Sequence, residues 1–360
     1  MKEKKLFDKT IIYLLIIFMI ISIITLYSTI KFLNINMQNI VLKQFIYYLL
    51  GFLLIFMIQK IDKEKIIKYR YIIYIVNIIL LALVLLIGDE INGAKAWINV
   101  PFFGSFQPSE FMKIGLILVL AFEVKNFNEN KYQKDISLII KAIILFLIPS
   151  ILTFLEPDTG AIFVYFVITV VALFMSNIKK RWFVILAIII FLLGGSLIYL
   201  YFYRQNDFIS IFGNSFFYRF DRIIFWQKEE GMQLKNSLIG IASSGIFGKG
   251  INSIPIYFPE LQTDFIFASF VSCFGLFGAF LLITITIIFD LKILFLNKNY
   301  DYKIISSCIF SVFLYQQIQN ISMTIGLLPI TGITLPLISY GGSSLLSFMI
   351  LIGIFLKLAS

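Results

Sequence analysis

The sequence predicts an all-α, polytopic membrane protein of about ten transmembrane helices. Its 360 residues are 60% hydrophobic with a mean hydropathy of +0.95, which is more apolar surface than a soluble core could bury. The apolar residues form ten runs separated by polar or charged segments, the pattern of a chain that crosses a bilayer repeatedly. The runs span residues 10–30, 44–59, 70–88, 111–124, 137–154, 159–176, 182–202, 265–290, 304–325 and 341–358.

The distribution of basic residues predicts that both termini are cytoplasmic. With the N-terminus inside, the inner loops receive most of the lysines, whereas the short outer loops hold only Lys31, Lys43 and Lys95. No small-residue cleavage site follows the first run, so we expect a transmembrane helix there rather than a signal peptide. The net charge of +10 therefore reflects membrane topology and does not indicate nucleic-acid binding.

One segment between the apolar runs, residues 203–263, is much longer than the others. The topology places it outside the membrane, between the seventh and eighth helices. It contains apolar pieces at 209–217 and 238–247, so we expect it to pack on the membrane surface. We find no clear repeat and no linker, and therefore predict a single membrane domain over residues 1–360.

The most informative residue is Asp264, at the outer end of the eighth run. A carboxylate there costs stability unless the protein uses it. The chain has no histidine, so any acid–base chemistry falls to a carboxylate. Cys273 and Cys308 lie inside apolar runs and are predicted to be small buried residues, so a transition-metal site is not expected.

A helix start precedes the fourth run, where Gln107 is followed by Pro108. Glu110 then lies in the first turn with Lys113 three residues on, so both side chains share one helix face. We expect both to point into the bundle near the outer leaflet. They form either a structural pair that holds the helix or a polar cavity for an anionic substrate.

Three further segments break the apolar pattern. The tight turn 156–160 is predicted to be structural, with Asp158 or Thr159 capping the next helix. The glycine-rich turn 243–250 could approach a phosphate through its backbone, although its spacing is not that of a P-loop. Residues 329–344 contain two prolines and three glycines, which predicts irregular backbone that lines a cavity or packs on protein.

Five stretches together resemble the SEDS family of shape, elongation, division and sporulation proteins, which includes RodA and FtsW. They are Gly93–Lys113, Glu156–Gly160, Gly245–Gly250, Pro259–Phe267 and Asn320–Ser344. The short N-terminus and absent C-terminal tail are more similar to RodA. The resemblance implies a peptidoglycan glycosyltransferase of the bacterial cytoplasmic membrane that polymerises lipid II into undecaprenyl-linked glycan at the outer face. It also implies a class B penicillin-binding protein, a transpeptidase, as partner.

The resemblance implies roles for individual residues. Asp264 matches the essential aspartate, Glu110 and Lys113 match a polar cavity pair, and Trp97 matches an aromatic of the outer loop. Charge alone adds three candidates to bind the diphosphate, namely Lys249, Arg219 and Arg222. The two arginines could instead contact lipid headgroups. We predict no cofactor with certainty, and leave open a divalent cation on the diphosphate.

The chain departs from the family pattern at several positions. Gln262 stands where the family usually has histidine, Glu156 replaces a glutamine, and residues 226–236 lack motif elements often found there. Two other functions remain open. A lipid II flippase would place its key charges near the midplane of the membrane, and a non-catalytic scaffold of a synthase complex would tolerate loss of Asp264.

Overall fold

A computed structural model describes residues 8–33, 39–91, 94–100, 104–130, 134–225, 231–297 and 300–359. Within these ranges the chain forms fourteen α-helices and three short strands. The first half contains α1 (Lys9–Thr29), α2 (Ile40–Lys60), α3 (Lys63–Lys68), α4 (Arg70–Ile87), β1 (Asp89–Ile91), β2 (Ala94–Val100), β3 (Gly104–Phe106), α5 (Pro108–Glu129), α6 (Asp135–Leu155) and α7 (Thr159–Phe174). The second half contains α8 (Arg181–Tyr203), α9 (Gln205–Phe212), α10 (Asn214–Ile224), α11 (Met232–Ser243), α12 (Ile266–Leu296), α13 (Tyr300–Thr324) and α14 (Gly342–Ala359).

The helical membrane fold is confirmed. Seven described helices are long and apolar enough to cross a membrane: α1, α2, α4, α6, α8, α12 and α14. Three more coincide with predicted runs, namely α5, α7 and α13, of which α7 has 16 residues. The exact count of ten spans, the single-domain boundary and the outer position of residues 203–263 stay predictions. We call the end of the bundle that contains Asp264 the outer face, following the predicted topology.

Helix α5 lies at the centre of the bundle. It packs against α4, α6, α7, α13 and α14, and its residues from 112 to 124 are all buried. Gly115 permits the close approach of α4, because a Cβ there would lie 2.9 Å from the Cα of Tyr74. The first turn of α5 therefore holds its polar side chains inside the protein.

The predicted irregular segment before α14 folds back into the bundle. Its carbonyl groups accept hydrogen bonds from buried side chains of α1 and α2. Ser22 donates to Ile338 at 2.7 Å, Gln44 donates to Ser339 at 3.1 Å, and Tyr48 donates to Leu337. The backbone at this depth is thus satisfied by protein groups, as the low-dielectric surroundings require.

The glycine-rich turn 245–250 packs against a break in α12. Gly275 leaves the helical conformation (φ 68°), which frees backbone groups on both sides of it. The N–H of Leu276 donates to Gly245 and that of Phe277 to Ile246, whereas the N–H of Lys249 donates to Ser272. These bonds replace the interrupted helical ones. In this structure Gly248 serves close packing against α12, because a Cβ there would lie 2.1 Å from the carbonyl oxygen of Cys273.

A small antiparallel sheet at the outer face was not predicted. Strand β2 lies between β1 and β3, with Trp97 opposite Asp89 and Ile98 opposite Phe106. Lys95 in β2 donates to the carbonyls of Leu85 (2.9 Å) and Leu86 (3.2 Å), which are unsatisfied at the end of α4. The sheet thereby connects the end of α4 to the start of α5.

Candidate active site at the outer face

Asp264 lies two residues before the start of α12, in a turn held by hydrogen bonds. The N–H groups of Thr263 and Phe265 donate to the carbonyl of Glu260, whose own backbone is left-handed (φ 56°). Asn320 of α13 donates to the Asp264 carbonyl at 2.8 Å and to that of Ile333 at 2.7 Å. The backbone of Asp264 is therefore fixed from two directions.

The carboxylate of Asp264 is half-buried, and no described side chain donates a hydrogen bond to it. Burial, and to a smaller extent the charges of Glu260 and Asp158, raise its pKa to about 7. Gly332 faces it, because a Cβ at that glycine would lie 3.7 Å from Oδ2. Both carboxylate oxygens are thus available to a ligand, and their basicity is suited to neutral pH.

Glu110 and Lys113 form the predicted pair inside the bundle. Lys113 Nζ lies 2.5 Å from Glu110 Oε2, and their side chains are 2% and 15% exposed. Ser347 of α14 donates to the same oxygen at 3.3 Å, and the ammonium lies 4.3 Å from the ring centre of Phe348. The positive charge of Lys113 is therefore paired with the negative charge of Glu110.

Asp158 connects the first turn of α5 to the start of α7. It caps α7 by accepting from the N–H of Ala161 at 3.1 Å, so the prediction of a capping role is confirmed. Its Oδ2 also accepts from Gln107 Nε2 and Ser109 Oγ, both at 3.0 Å. Burial raises the pKa of Asp158 and these donors oppose that shift.

The same turn reaches the loop that faces Asp264. A Cβ at Gly160 would lie 3.0 Å from Ile333 and 3.1 Å from the carbonyl of Thr331, so a larger residue would press against this loop. The charge of Asp158 raises the pKa of Asp264, and the charge of Glu110 in turn raises the pKa of Asp158. The three carboxylates therefore belong to one polar region at the outer face.

The remaining predicted residues are not brought to Asp264 by any described contact. Trp97 is half-buried in β2, and the side chain of Lys249 is exposed on its turn. Arg219 and Arg222 lie on α10, but their side chains fall outside the described ones. Substrate binding by these four residues, and by Glu110 and Lys113, stays a prediction.

Within the described ranges, no cluster of three or more histidine, cysteine or acidic side chains has a geometry that could hold a metal ion. Cys273 and Cys308 are both free and buried, as predicted. The acidic residues of the outer face are spread over separate elements, and Glu110 is already paired with Lys113. Charge at this site is balanced by side-chain donors and by Lys113.

Sequence reasoning missed several residues that build the site. Asn320 clamps the Asp264 backbone, and Glu260 Oε2 accepts from Thr263 at 2.6 Å and Gln262 at 3.2 Å. Ser343 accepts from the N–H of Gln107 at 2.9 Å and donates to Ser105 at 3.0 Å. The sequence carried one signal for these, the amides Gln319 and Asn320 near the end of a long apolar helix.

Comparison with known proteins supports a single family. The model of the FtsW, RodA and SpoVE cell cycle proteins matches residues 8–360. The peptidoglycan glycosyltransferase MrdB of Helicobacter pylori (strain ATCC 700392 / 26695) is 34% identical over 325 residues, covering 87% of this chain and 81% of that protein. A probable peptidoglycan glycosyltransferase FtsW of Wigglesworthia glossinidia brevipalpis is 34% identical over 373 residues, covering 98% and 93%.

Solved structures share the fold. A chain from a peptidoglycan synthase complex, described as coordinating polymerization and crosslinking, aligns with a TM-score of 0.82 at 24% identity, covering 98% of this chain and 97% of that one. The rod shape determining protein RodA of Thermus thermophilus aligns with a TM-score of 0.70 at 24% identity, covering 98% and 96%. Relatives named MrdB and FtsW match equally well, so a closer likeness to RodA stays a prediction. The chain belongs to the SEDS family, that of FtsW, RodA and SpoVE.

Proposed function

We propose that this protein is a peptidoglycan glycosyltransferase that polymerises lipid II at the outer face of the bacterial cytoplasmic membrane. The observation that carries the proposal is Asp264, a half-buried carboxylate that accepts no hydrogen bond from any described side chain and whose pKa is raised to about 7, at the predicted outer end of a membrane helix. Relatives that cover most of the chain carry this activity in their names.

In the proposed reaction, the GlcNAc 4-hydroxyl of one lipid II attacks the anomeric carbon of a lipid-linked glycan. Asp264 accepts the hydroxyl proton as the new glycosidic bond forms. The bond from the anomeric carbon to the diphosphate breaks, and undecaprenyl diphosphate leaves with the electron pair. The attack inverts the anomeric centre, and a positioned base contributes about 10²–10⁴-fold to such a step.

The diphosphate needs positive charge as it leaves. Lys113 is the buried cation of the site, and a movement that separates it from Glu110 would present its ammonium to the substrate. Lys249, Arg219 and Arg222 are the outer candidates. Trp97 offers an apolar surface to a sugar ring from the sheet that precedes α5.

The direct test compares Asp264→Asn with the wild type in polymerisation of purified lipid II. We expect a loss of about 10²–10⁴-fold. Asp89→Asn, an exposed aspartate of β1, is the matched control and should polymerise normally. Polymerisation by Asp264→Asn at the wild-type rate would show that Asp264 is not the general base. Transport of labelled lipid II across liposomes without any glycan product would instead favour the flippase.

We also propose a single-span class B penicillin-binding protein as partner, because a chain of this fold occurs in a peptidoglycan synthase complex. Co-purification of the two proteins from membranes, followed by combined polymerisation and crosslinking assays, tests this. Separate migration of the two proteins, with polymerisation unaffected by the transpeptidase, would argue against it.

A further inference from the structure

Glu156 is a buried acid that the proposed reaction does not use. It follows α6 directly, is 0% exposed, and neither carboxyl oxygen has a hydrogen-bond partner within the described part of the chain. Its backbone is held in place, because its N–H donates to the carbonyls of Leu152 (3.3 Å) and Thr153 (3.2 Å). An ionised carboxylate without a donor or a cation is strongly unfavourable in such a position.

The charge of Asp158 opposes the ionisation of Glu156. Asp158 lies two residues on in the same turn, and Tyr165 faces the turn from α7 while donating to the carbonyl of Ser109 at 2.9 Å. The charge of Glu110 on α5 acts on Asp158 and Tyr165, and the charge of Asp158 acts on Asp264 before α12. The cation of this region, Lys113 on α5, is bound to Glu110.

We propose that Glu156 is protonated at neutral pH and is a positioning residue whose proton keeps the Asp158 network of the active site intact. This inference rests on the glycosyltransferase function proposed above. Asp158 holds Gln107 and Ser109, and these residues begin the helix that carries Glu110 and Lys113. A neutral Glu156 leaves Asp158 as the one negative charge of the turn.

Loss of the proton from Glu156 would place two negative charges, on Glu156 and Asp158, in one buried turn. Their repulsion would push the turn apart and weaken the bonds from Asp158 to α5, as well as the contact of Gly160 with the loop that faces Asp264. Burial, followed by the charge of Asp158, raises the pKa of Glu156 to about 9. Activity should therefore decline as pH rises through about 9.

Glu156→Gln is the decisive variant, because glutamine keeps the shape of the protonated acid and cannot ionise. One unit above the pKa only about a tenth of the wild-type molecules keep the proton, so at about pH 10 we expect roughly tenfold less polymerisation by the wild type than at its optimum. Glu156→Gln should lack this alkaline decline. Glu90→Gln, an exposed glutamate of β1, is the matched control and should decline like the wild type.

A readout independent of activity follows the proton itself. The infrared difference spectrum of wild type minus Glu156→Gln should contain the carbonyl band of a protonated carboxylic acid at pH 7, and this band should vanish above about pH 9. Glu156→Met, also neutral, replaces Glu156→Gln in the subtraction if the latter does not fold. Absence of the band, or an alkaline decline that persists in Glu156→Gln, overturns the proposal.

The two proposals fail in different ways. If the wild type polymerises nothing at any pH, the proposed function is wrong. In that case the presence or absence of the acid band still supports or overturns the protonated state of Glu156. If the wild type polymerises normally without the band, only the inference about Glu156 fails.

Discussion

At the scale of single residues, Asp264 combines accessible oxygens with a fixed backbone. Asn320 and the Glu260 turn hold its main chain, whereas its carboxylate accepts no hydrogen bond from any described residue. Donors to the carboxylate would stabilise its charged form and lower its basicity. Asp158, with three donors, contrasts with this and serves a structural role.

The raised pKa of Asp264 predicts an acid limb in the activity profile. A general base must be ionised, so kcat/KM for lipid II should rise with pH to about 7 and stay level until the alkaline decline expected near pH 9. The measurement is initial polymerisation rate against pH at subsaturating substrate. A limb that remains near the ordinary pKa of an aspartate, with constant rate from pH 5 upwards, would contradict the assignment.

The same shift predicts that Asp264→Asn does not lose stability. The pKa of Asp264 is higher in the folded protein than in the unfolded chain, so its contribution to stability is present at low pH and is lost as pH rises through about 7. At pH 8 the neutral asparagine should therefore keep or raise the thermal midpoint in detergent. A lower midpoint would show that its loss of activity reflects unfolding.

The ion pair between Lys113 and Glu110 predicts that substitutions at these two positions have strongly coupled effects on stability. Removing the ammonium in Lys113→Met leaves Glu110 buried without its cation, which should cost about 3 kcal/mol because Glu110 keeps some exposure and the Ser347 bond. The double variant with Glu110→Gln should recover part of this loss. A double-mutant cycle on unfolding in detergent measures the coupling, and additive effects would contradict it.

At the scale of elements, broken helices are matched by loops that satisfy them. The turn 245–250 supplies partners for the break in α12, and α1 and α2 supply donors to the segment before α14. Irregular backbone survives inside a membrane protein only under this condition. These two contacts set the positions of the loops on either side of Asp264.

Gly248 tests this contact. Its φ is 80°, and a Cβ there would lie 2.1 Å from the carbonyl oxygen of Cys273. Gly248→Ala should cost at least about 2 kcal/mol, from backbone strain and displacement of α12. Gly194→Ala is the control, since nothing lies within 4 Å of that site in the middle of α8. Equal thermal midpoints for the two variants would contradict the packing role.

At the scale of the whole molecule, a buried α5 organises the outer face. The helices around it bring the turn 156–160, the turn before α12 and the segment before α14 together over its first turn. The acidic site thus lies at one end of the bundle, which the predicted topology assigns to the outer face. A different topology would move the site to the cytosol.

Single cysteines test the topology. Both native cysteines are buried, so background labelling should be low. In spheroplasts, a membrane-impermeant maleimide should label Ser105→Cys and Asn214→Cys at once, whereas Glu64→Cys should react only after permeabilisation; all three positions are exposed. Labelling of Glu64→Cys from outside would reverse the assigned orientation.

The sequence by itself determined the helical membrane fold, the approximate helix ends, the Glu110–Lys113 pair and a helix cap at either Asp158 or Thr159. Each follows from local properties, namely hydrophobic runs, basic loops, a proline at a helix start, and three-residue spacing on a helix. Only the tertiary structure decided that Asn320 holds Asp264, that the glycine-rich turn packs on α12, and that the buried carboxyl group of Glu156 has no hydrogen-bond partner among the described residues. These depend on contacts between residues far apart in the chain, and burial, which sets both packing and ionisation, exists only once those contacts form.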